Sequence, residues 1–238
     1  MLKLNMPKQI RPPLEYYSYD SDFDQMTIEH SPSISQDQLS NARIYSSREE
    51  YAKALPKGIR YLEIGVAWGY SAKMFIDASQ ATSADLLDLY DQDLKCWSWR
   101  KFGECKCQGK KHELLYTPDT HEEYIKQLFL DYTNINTIKG NAADIVPNMT
   151  SEYDFIYIDI SNDRILTREV LKHCKAITPV NGIIGLNDYV IYDGVIEDQP
   201  YGTFQTVNEF LDINKNWSVD AIALHPLGFY DIYIRRNY

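Results

Sequence analysis

The sequence predicts an α/β fold: a mostly parallel seven-stranded sheet, helices on both faces, and a closing antiparallel hairpin at the C-terminus. Three observations lead there. From residue 60 onward, short apolar runs of strand length alternate with longer segments of helical apolar spacing, the pattern of βα units wound into a parallel sheet. The first run passes directly through a glycine turn into a helix, at YLEIGVAWGYSA over 61–72. The last two runs, 218–224 and 229–234, alternate apolar and polar residues across a short gap, as hairpin strands do.

The elements follow in order. Residues 1–33 cluster Pro, Tyr, Asp and Ser with no clear period and read as an N-terminal arm, flexible or closing as a lid. The domain proper then runs over 34–238. Residues 35–55 are compatible with a helix ending near Pro56 and Gly58. The first strand is 60–64 and the first helix 70–78. A second strand, 85–90, reads DLLDLY. An insertion at about 94–117 precedes a helix over 121–132, with Ile125, Leu128, Phe129 and Tyr132 on one face. Strands follow at 136–139 and 153–158. Leu166, Val170, Cys174 and Ile177 repeat at helical spacing over 163–177, until Pro179 and Gly182 break the pattern. The fifth strand is 182–186, and a further helix spans 203–213 before the hairpin.

Bulk composition narrows the function. A chain of 238 residues with 44% hydrophobic content can bury the core of one α/β domain. The net charge of −10 is the wrong sign for a general nucleic-acid binder. No apolar run approaches the ~20 residues that span a bilayer, and MLKLNMPKQI has no signal-peptide core. The expectation is a cytoplasmic protein with a small-molecule partner, no nucleic acid and no membrane, a homodimer being compatible.

Open parallel sheets bind ligands at the carboxyl ends of their strands, so the strand ends carry the site. After the first strand come Gly65 and Gly69 in a G-x-x-x-G turn, with Glu63 before it and Ser71 after it. Such a turn exposes bare backbone and helix N–H groups to a ligand. The spacing is not the G-x-G-x-x-G of dinucleotide folds. The second strand ends at Asp91, 22 residues beyond Gly69, where a carboxylate can accept both hydroxyls of a ribose. Asp88 is the fallback, its place inside the apolar run being less favourable. Asn141 and Ala142 follow the third strand. Asp159 ends the fourth and Asn187-Asp188 the fifth, three oxygen ligands that suit a hard cation such as Mg2+.

These motifs resemble class I S-adenosylmethionine (SAM) methyltransferases of Rossmann-like fold. Glu63 two residues before Gly65 is similar to their first motif, and Gly140, Asp144 and Pro147 resemble the G-x-x-x-D-x-x-P of catechol O-methyltransferase-like enzymes. Asp188-Tyr189, Gly194-Val195 and Val207-Asn208-Glu209-Phe210 resemble the macrolide-sugar O-methyltransferases. The resemblance covers 33–234. It implies SAM bound by Glu63, Gly65, Gly69, Ser71, Asp91, Asn141 and Ala142. It also implies Mg2+ held by Asp159, Asn187 and Asp188, which would chelate the acceptor and acidify its hydroxyl. The family often carries Lys or His three residues after the first metal-binding Asp. Here that residue is Asn162, a neutral amide that cannot take the proton. Either the metal acidifies the hydroxyl alone, or Asp163 or His225 serves as base, or SAM is bound without methylation of this substrate class. The catalytic set is therefore Asp159, Asp163 and Asn162.

Within the insertion, residues 95–112 hold Lys95, Arg100, Lys101, Lys106, Lys110 and Lys111 against a single acid, Glu104, with Trp97, Trp99 and Phe102. It reads as a solvated loop with an aromatic anchor, or as a lip for an anionic acceptor. Cys96, Cys105, Cys107 and His112 could hold Zn2+, although C-x8-C-x-C-x4-H is not a recurrent zinc spacing. Cys174 belongs to the core face of its helix. The leading function is SAM- and Mg2+-dependent O-methyl transfer to a small polyhydroxylated acceptor, a sugar or natural product. The alternatives are a non-catalytic SAM-binding or partner-binding domain, a nicotinamide oxidoreductase, which the glycine spacing opposes, and a hydroxylase of the same fold.

Overall fold

The computed structural model describes residues 31–91, 120–161, 163–190, 192–193, 199–200, 202–226 and 228–238. The N-terminal arm up to residue 30, the insertion with Cys96, Cys105, Cys107 and His112, and Asn162 lie outside them. In chain order the elements are α1 (Gln36–Leu39), β1 (Arg43–Tyr45), α2 (Arg48–Ala54), β2 (Arg60–Ile64), α3 (Tyr70–Ser79), β3 (Ser83–Asp88) and α4 (His121–Leu128). Then come β4 (Ile135–Lys139), α5 (Ala142–Ile145), β5 (Phe155–Ile158), α6 (Arg164–Cys174), β6 (Ile183–Leu186), β7 (Tyr192–Asp193) and β8 (Gln199–Pro200). The chain closes with α7 (Gly202–Ile213), β9 (Trp217–Ala223) and β10 (Asp231–Arg236).

The main sheet runs β1-β9-β10-β6-β5-β2-β3-β4, and β7 and β8 form a separate two-stranded ribbon. Pairing is parallel from β6 through β5, β2 and β3 to β4, and β10 is antiparallel to both β6 and β9. The α/β class and the C-terminal hairpin are as the sequence predicts. The sheet has an eighth strand because the segment read as one helix over 35–55 is α1, β1 and α2. Ser47 ends the extended piece and caps α2 by accepting the Glu50 N–H at 3.3 Å. Residues 43–45 pair in parallel with 221–223, so sheet hydrogen bonds override a helix-compatible pattern.

Side-chain alternation assigns each strand residue to one of two cores. Leu62 and Ile64, Ile156 and Ile158, Ile184 and Leu186, and Ile232 and Ile234 face α6 and α7. Tyr61, Phe155, Tyr157 and Tyr233 face the α2–α3 side, where they pack with Tyr51 and Phe75. On that side Tyr51 stacks on Tyr233 with ring centroids 3.5 Å apart. Helix α6 buries Thr167, Val170, Leu171 and Cys174, one helical stripe, so Cys174 is a core residue as its spacing indicates.

Candidate active site

Strand register brings the site together. Ile64 is level with both Ile158 and Leu87, and Ile158 with Leu186. The next residue of each strand must then lie on a common edge. Backbone hydrogen bonds continue the ladder there, from Gly65 N to Leu87 O, Asp159 N to Ile64 O and Asn187 N to Ile158 O. Antiparallel β10 starts at the same edge, because Ile232 pairs with Leu186. Gly65, Asp159, Asn187 and Asp231 are thus neighbours by construction. By alternation Asp159, Asn187 and Asp231 share the face of Tyr157 and Tyr233, toward α2.

Gly65 is the closest approach in this row. Its φ is +88°, and a Cβ there would lie 1.9 Å from the Asp159 carbonyl oxygen. The turn beyond it carries Ala67 at φ +45° and ends at Gly69, which begins α3 at φ +73°. Tyr90 and Asp188, just past β3 and β6, are also left-handed. Strained non-glycine backbone at three strand ends is the kind that persists where a surrounding structure fixes a site. The turn is clamped from two sides. Asp88 accepts the Val66 and Ala67 N–H groups at 2.7 and 2.8 Å and that of Tyr90 at 2.9 Å. Buried His121 donates from Nε2 to the Ala67 carbonyl, its ring between Trp68 and Tyr90.

The expected SAM-side residues divide. Gly65, Gly69 and Ser71 form the turn and first helical turn, and Asn141 caps α5 by accepting the Ala143 N–H. Ala142 is buried beside it. Glu63 lies beneath the turn, 1% exposed, and accepts the Tyr61 hydroxyl at 2.5 Å. Burial pushes its carboxyl well above the usual range, against the Tyr61 hydrogen bond. β3 ends at Asp88, and it is Asp88 that meets the glycine turn, whereas Asp91 stands exposed three residues on. Asp88→Ala will leave three amides unpaired and cost roughly 2–3 kcal/mol. Asp91→Ala will stay within about 0.5 kcal/mol of wild type. Chemical denaturation separates the two, and SAM titration of the same variants tells which acid a ribose needs.

On the other side, Asp159 Oδ1 accepts from Asn187 Nδ2 at 2.8 Å. Burial pushes the Asp159 carboxyl up to about 6; Arg48 opposes this and Asp231 adds to it. Asn187 and Asp188 line a cavity of about 170 Å³ with Arg48, His225, Phe229 and Asp231. Asp163 is used as the N-cap of α6, accepting the Leu166 N–H at 2.7 Å. The motif residues Tyr189 and Asn208 bond to each other at 2.7 Å, and Glu209 pairs with Arg164 at 2.5 Å. They tie the segment after β6, and the start of α6, to α7.

Arg48 and Asp231 are the residues sequence reasoning missed. Arg48 opens α2 and reaches the middle of the row. Its Nε donates to Asp231 Oδ2 at 2.6 Å and Nη2 to Oδ1 at 2.9 Å, a bidentate pair. Nη1 donates to Ser71 Oγ at 2.8 Å and Nη2 also to Asn187 Oδ1 at 2.5 Å. The guanidinium lies 5.2 Å from the centroid of the Tyr157 ring. Asp231 further accepts the Tyr157 and Tyr233 hydroxyls at 3.2 and 2.9 Å. The only sequence signals are an acid opening the final strand and an arginine after a Ser-Ser cap.

The expected magnesium donors Asp159, Asn187 and Asp188 line one small pocket, but the Asn187 amide is not turned to serve the ion. Asn187 turns its oxygen to Arg48 and its Nδ2 to Asp159, so it offers no oxygen on the Asp159 side. Inverting the amide would set its NH2 against the guanidinium. Among the described residues, no group of three or more His, Cys, Asp or Glu stands together as a metal cluster.

A family model described as a methyltransferase domain matches residues 62–189. The tRNA (guanine-N(7)-)-methyltransferase of Eremothecium gossypii is 29% identical over 99 residues, 41% of this chain and 31% of that protein, so the chain spans about a third of its relative. An rRNA methylase from Streptococcus thermophilus superposes with a TM-score of 0.52 at 9% identity, covering 80% of this chain and 94% of that one. The O-methyltransferase TomG of Streptomyces achromogenes, solved with SAM and involved in tomaymycin synthesis, gives 0.52 at 14% identity, covering 80% and 78%. These structural likenesses concern the fold. No helix among the described residues is long and apolar enough to cross a membrane.

Proposed function

This chain belongs to the methyltransferase-domain family, and on that premise we propose that it transfers a methyl group from SAM to a hydroxyl oxygen of a small polyhydroxylated acceptor. One observation carries the reading. The Gly65 backbone abuts the Asp159 carbonyl, so the turn suited to a nucleoside and the carboxylate suited to a proton are adjacent. SAM supplies an electrophilic sulfonium methyl. The Gly65–Gly69 turn, Ser71, the start of α3, Asn141 and Ala142 bind and orient it, with Asp88 or Asp91 toward the ribose. Asp159, hydrogen-bonded to the cavity-lining Asn187, accepts the hydroxyl proton as the new O–C bond forms and the S–C bond breaks. Asp159 supersedes Asp163 as the favoured base, because the Asp163 carboxylate is engaged in capping.

Nucleic-acid methylation is the competing reading, drawn from the named activities of two relatives. The net charge of −10 favours a small acceptor over a phosphate backbone. Calorimetric titration with SAM, followed by a methyl-labelled screen of sugars, phenols and RNA, tests the proposal. One SAM bound per chain and label in a small hydroxylated compound is the expected result. Absence of SAM binding, or label only in RNA, would overturn it.

A further inference from the structure

We propose that Arg48 is the resident cation of the acceptor site, standing in place of a divalent metal and positioning Asn187 and Asp159. The proposal rests on the methyl-transfer reading above and narrows it to metal-independent chemistry.

Three observations carry it. First, Arg48 commits its guanidinium in four hydrogen bonds, to Asp231 twice, to Ser71 and to Asn187. Asn187 is therefore fixed with its oxygen toward a cation already present and its amide N–H toward Asp159. Second, Arg48 is not free to withdraw. It is paired bidentately with Asp231, which is 4% exposed, and it packs over Tyr157. A divalent ion placed between Asp159 and Asn187 would compete with this guanidinium for the Asn187 oxygen. Third, Arg48 and Asp231 both lie outside 62–189, the segment matched by the family model. The pair is contributed by α2 and β10.

The chemistry changes accordingly. A metal recognises two adjacent acceptor oxygens by chelation, whereas a guanidinium stabilises a single developing oxyanion by charge and hydrogen bonding. A neighbouring second hydroxyl is then unnecessary. Arg48 also joins Ser71 to Asn187, so one side chain sets the spacing between the SAM side and the acceptor side.

The test uses Mn2+ as a spectroscopic substitute for Mg2+, titrated into the full chain with and without saturating SAM and followed by electron paramagnetic resonance. No immobilised Mn2+ up to about 1 mM is expected, with SAM affinity and melting temperature unchanged by EDTA. One Mn2+ per chain, lost in Asp159→Asn, would overturn the proposal. Arg48→Met, checked for native circular dichroism, gives a second readout. Removing the guanidinium frees the Asn187 oxygen and should tighten Mn2+ binding by at least about tenfold. A folded Arg48→Met with no gain would remove Arg48 from the role assigned to it. If that variant does not fold, the wild-type titration decides alone. The metal-binding arm without SAM stands even where SAM fails to bind, so the two readings fail separately.

Discussion

Asp159→Asn will slow methyl transfer by about 10²- to 10⁴-fold while making the folded protein more stable above about pH 6. The kinetic loss follows from removing the proton acceptor. SAM affinity should hardly change, because the amide oxygen of the substituted side chain still accepts from Asn187 and the backbone against Gly65 is untouched. The stability gain follows from linkage. The Asp159 carboxyl rises from an ordinary 3.8 to about 6 in the folded state, chiefly through burial. A raised folded value favours the folded state at low pH, and that contribution is lost as pH rises through about 6. The loss is about 3 kcal/mol in full, developing between roughly pH 4 and 6. Asparagine carries no such dependence. The difference between variant and wild type should therefore grow over this window and level off above it. Urea melts at about pH 4, 5, 6 and 7.5 check this, and a flat difference would mean that Asp159 ionises freely. Retained transfer at more than a tenth of the wild-type rate would remove it as base.

Gly65→Ala will destabilise the domain by at least about 3 kcal/mol and weaken SAM binding at least tenfold. Two costs combine. The left-handed conformation at φ +88° disfavours any side chain, and the new Cβ would lie 1.9 Å from one backbone atom of Asp159 and 2.6 Å from another. Neither atom can rotate aside, since Asp159 N is hydrogen-bonded to Ile64 O inside the sheet. Gly228→Ala is the matched control. Gly228 has nearly the same φ, +86°, with nothing within 4 Å of where its added methyl would stand. It should show only the conformational cost, about 1–2 kcal/mol. Equal losses in the two variants would show that the approach to Asp159 is not what Gly65 is for.

The parallel core is legible because periodicity is a local property. The runs at 60–64, 70–78, 182–186 and 203–213 match β2, α3, β6 and α7 to within a residue or two. The segment 35–55 is not legible in this way, because β1 exists only by pairing with β9, far along the chain. Ile44 and Tyr45 favour strands, but three residues are too few to show a period. The strand-end acids are legible for a similar reason to the core, since a polar residue after an apolar run marks where a sheet meets its ligand edge. Hydropathy favours Asp91 over Asp88 because it judges where a run ends, while the strand ends where hydrogen bonding ends, at Asp88.

By itself, the sequence determined the βα alternation, the glycine turn and the acids that follow each strand, all of which depend on residues close together in the chain. Only the tertiary structure decided which charges meet. Arg48 and Asp231 are 183 residues apart and touch because α2 covers the face on which β10 begins beside β6. Their pairing fixes the Asn187 amide, and no local pattern encodes the orientation of a side chain set by two distant partners. Strand register is a global result of packing, and it is register that turns separate strand-end residues into one site.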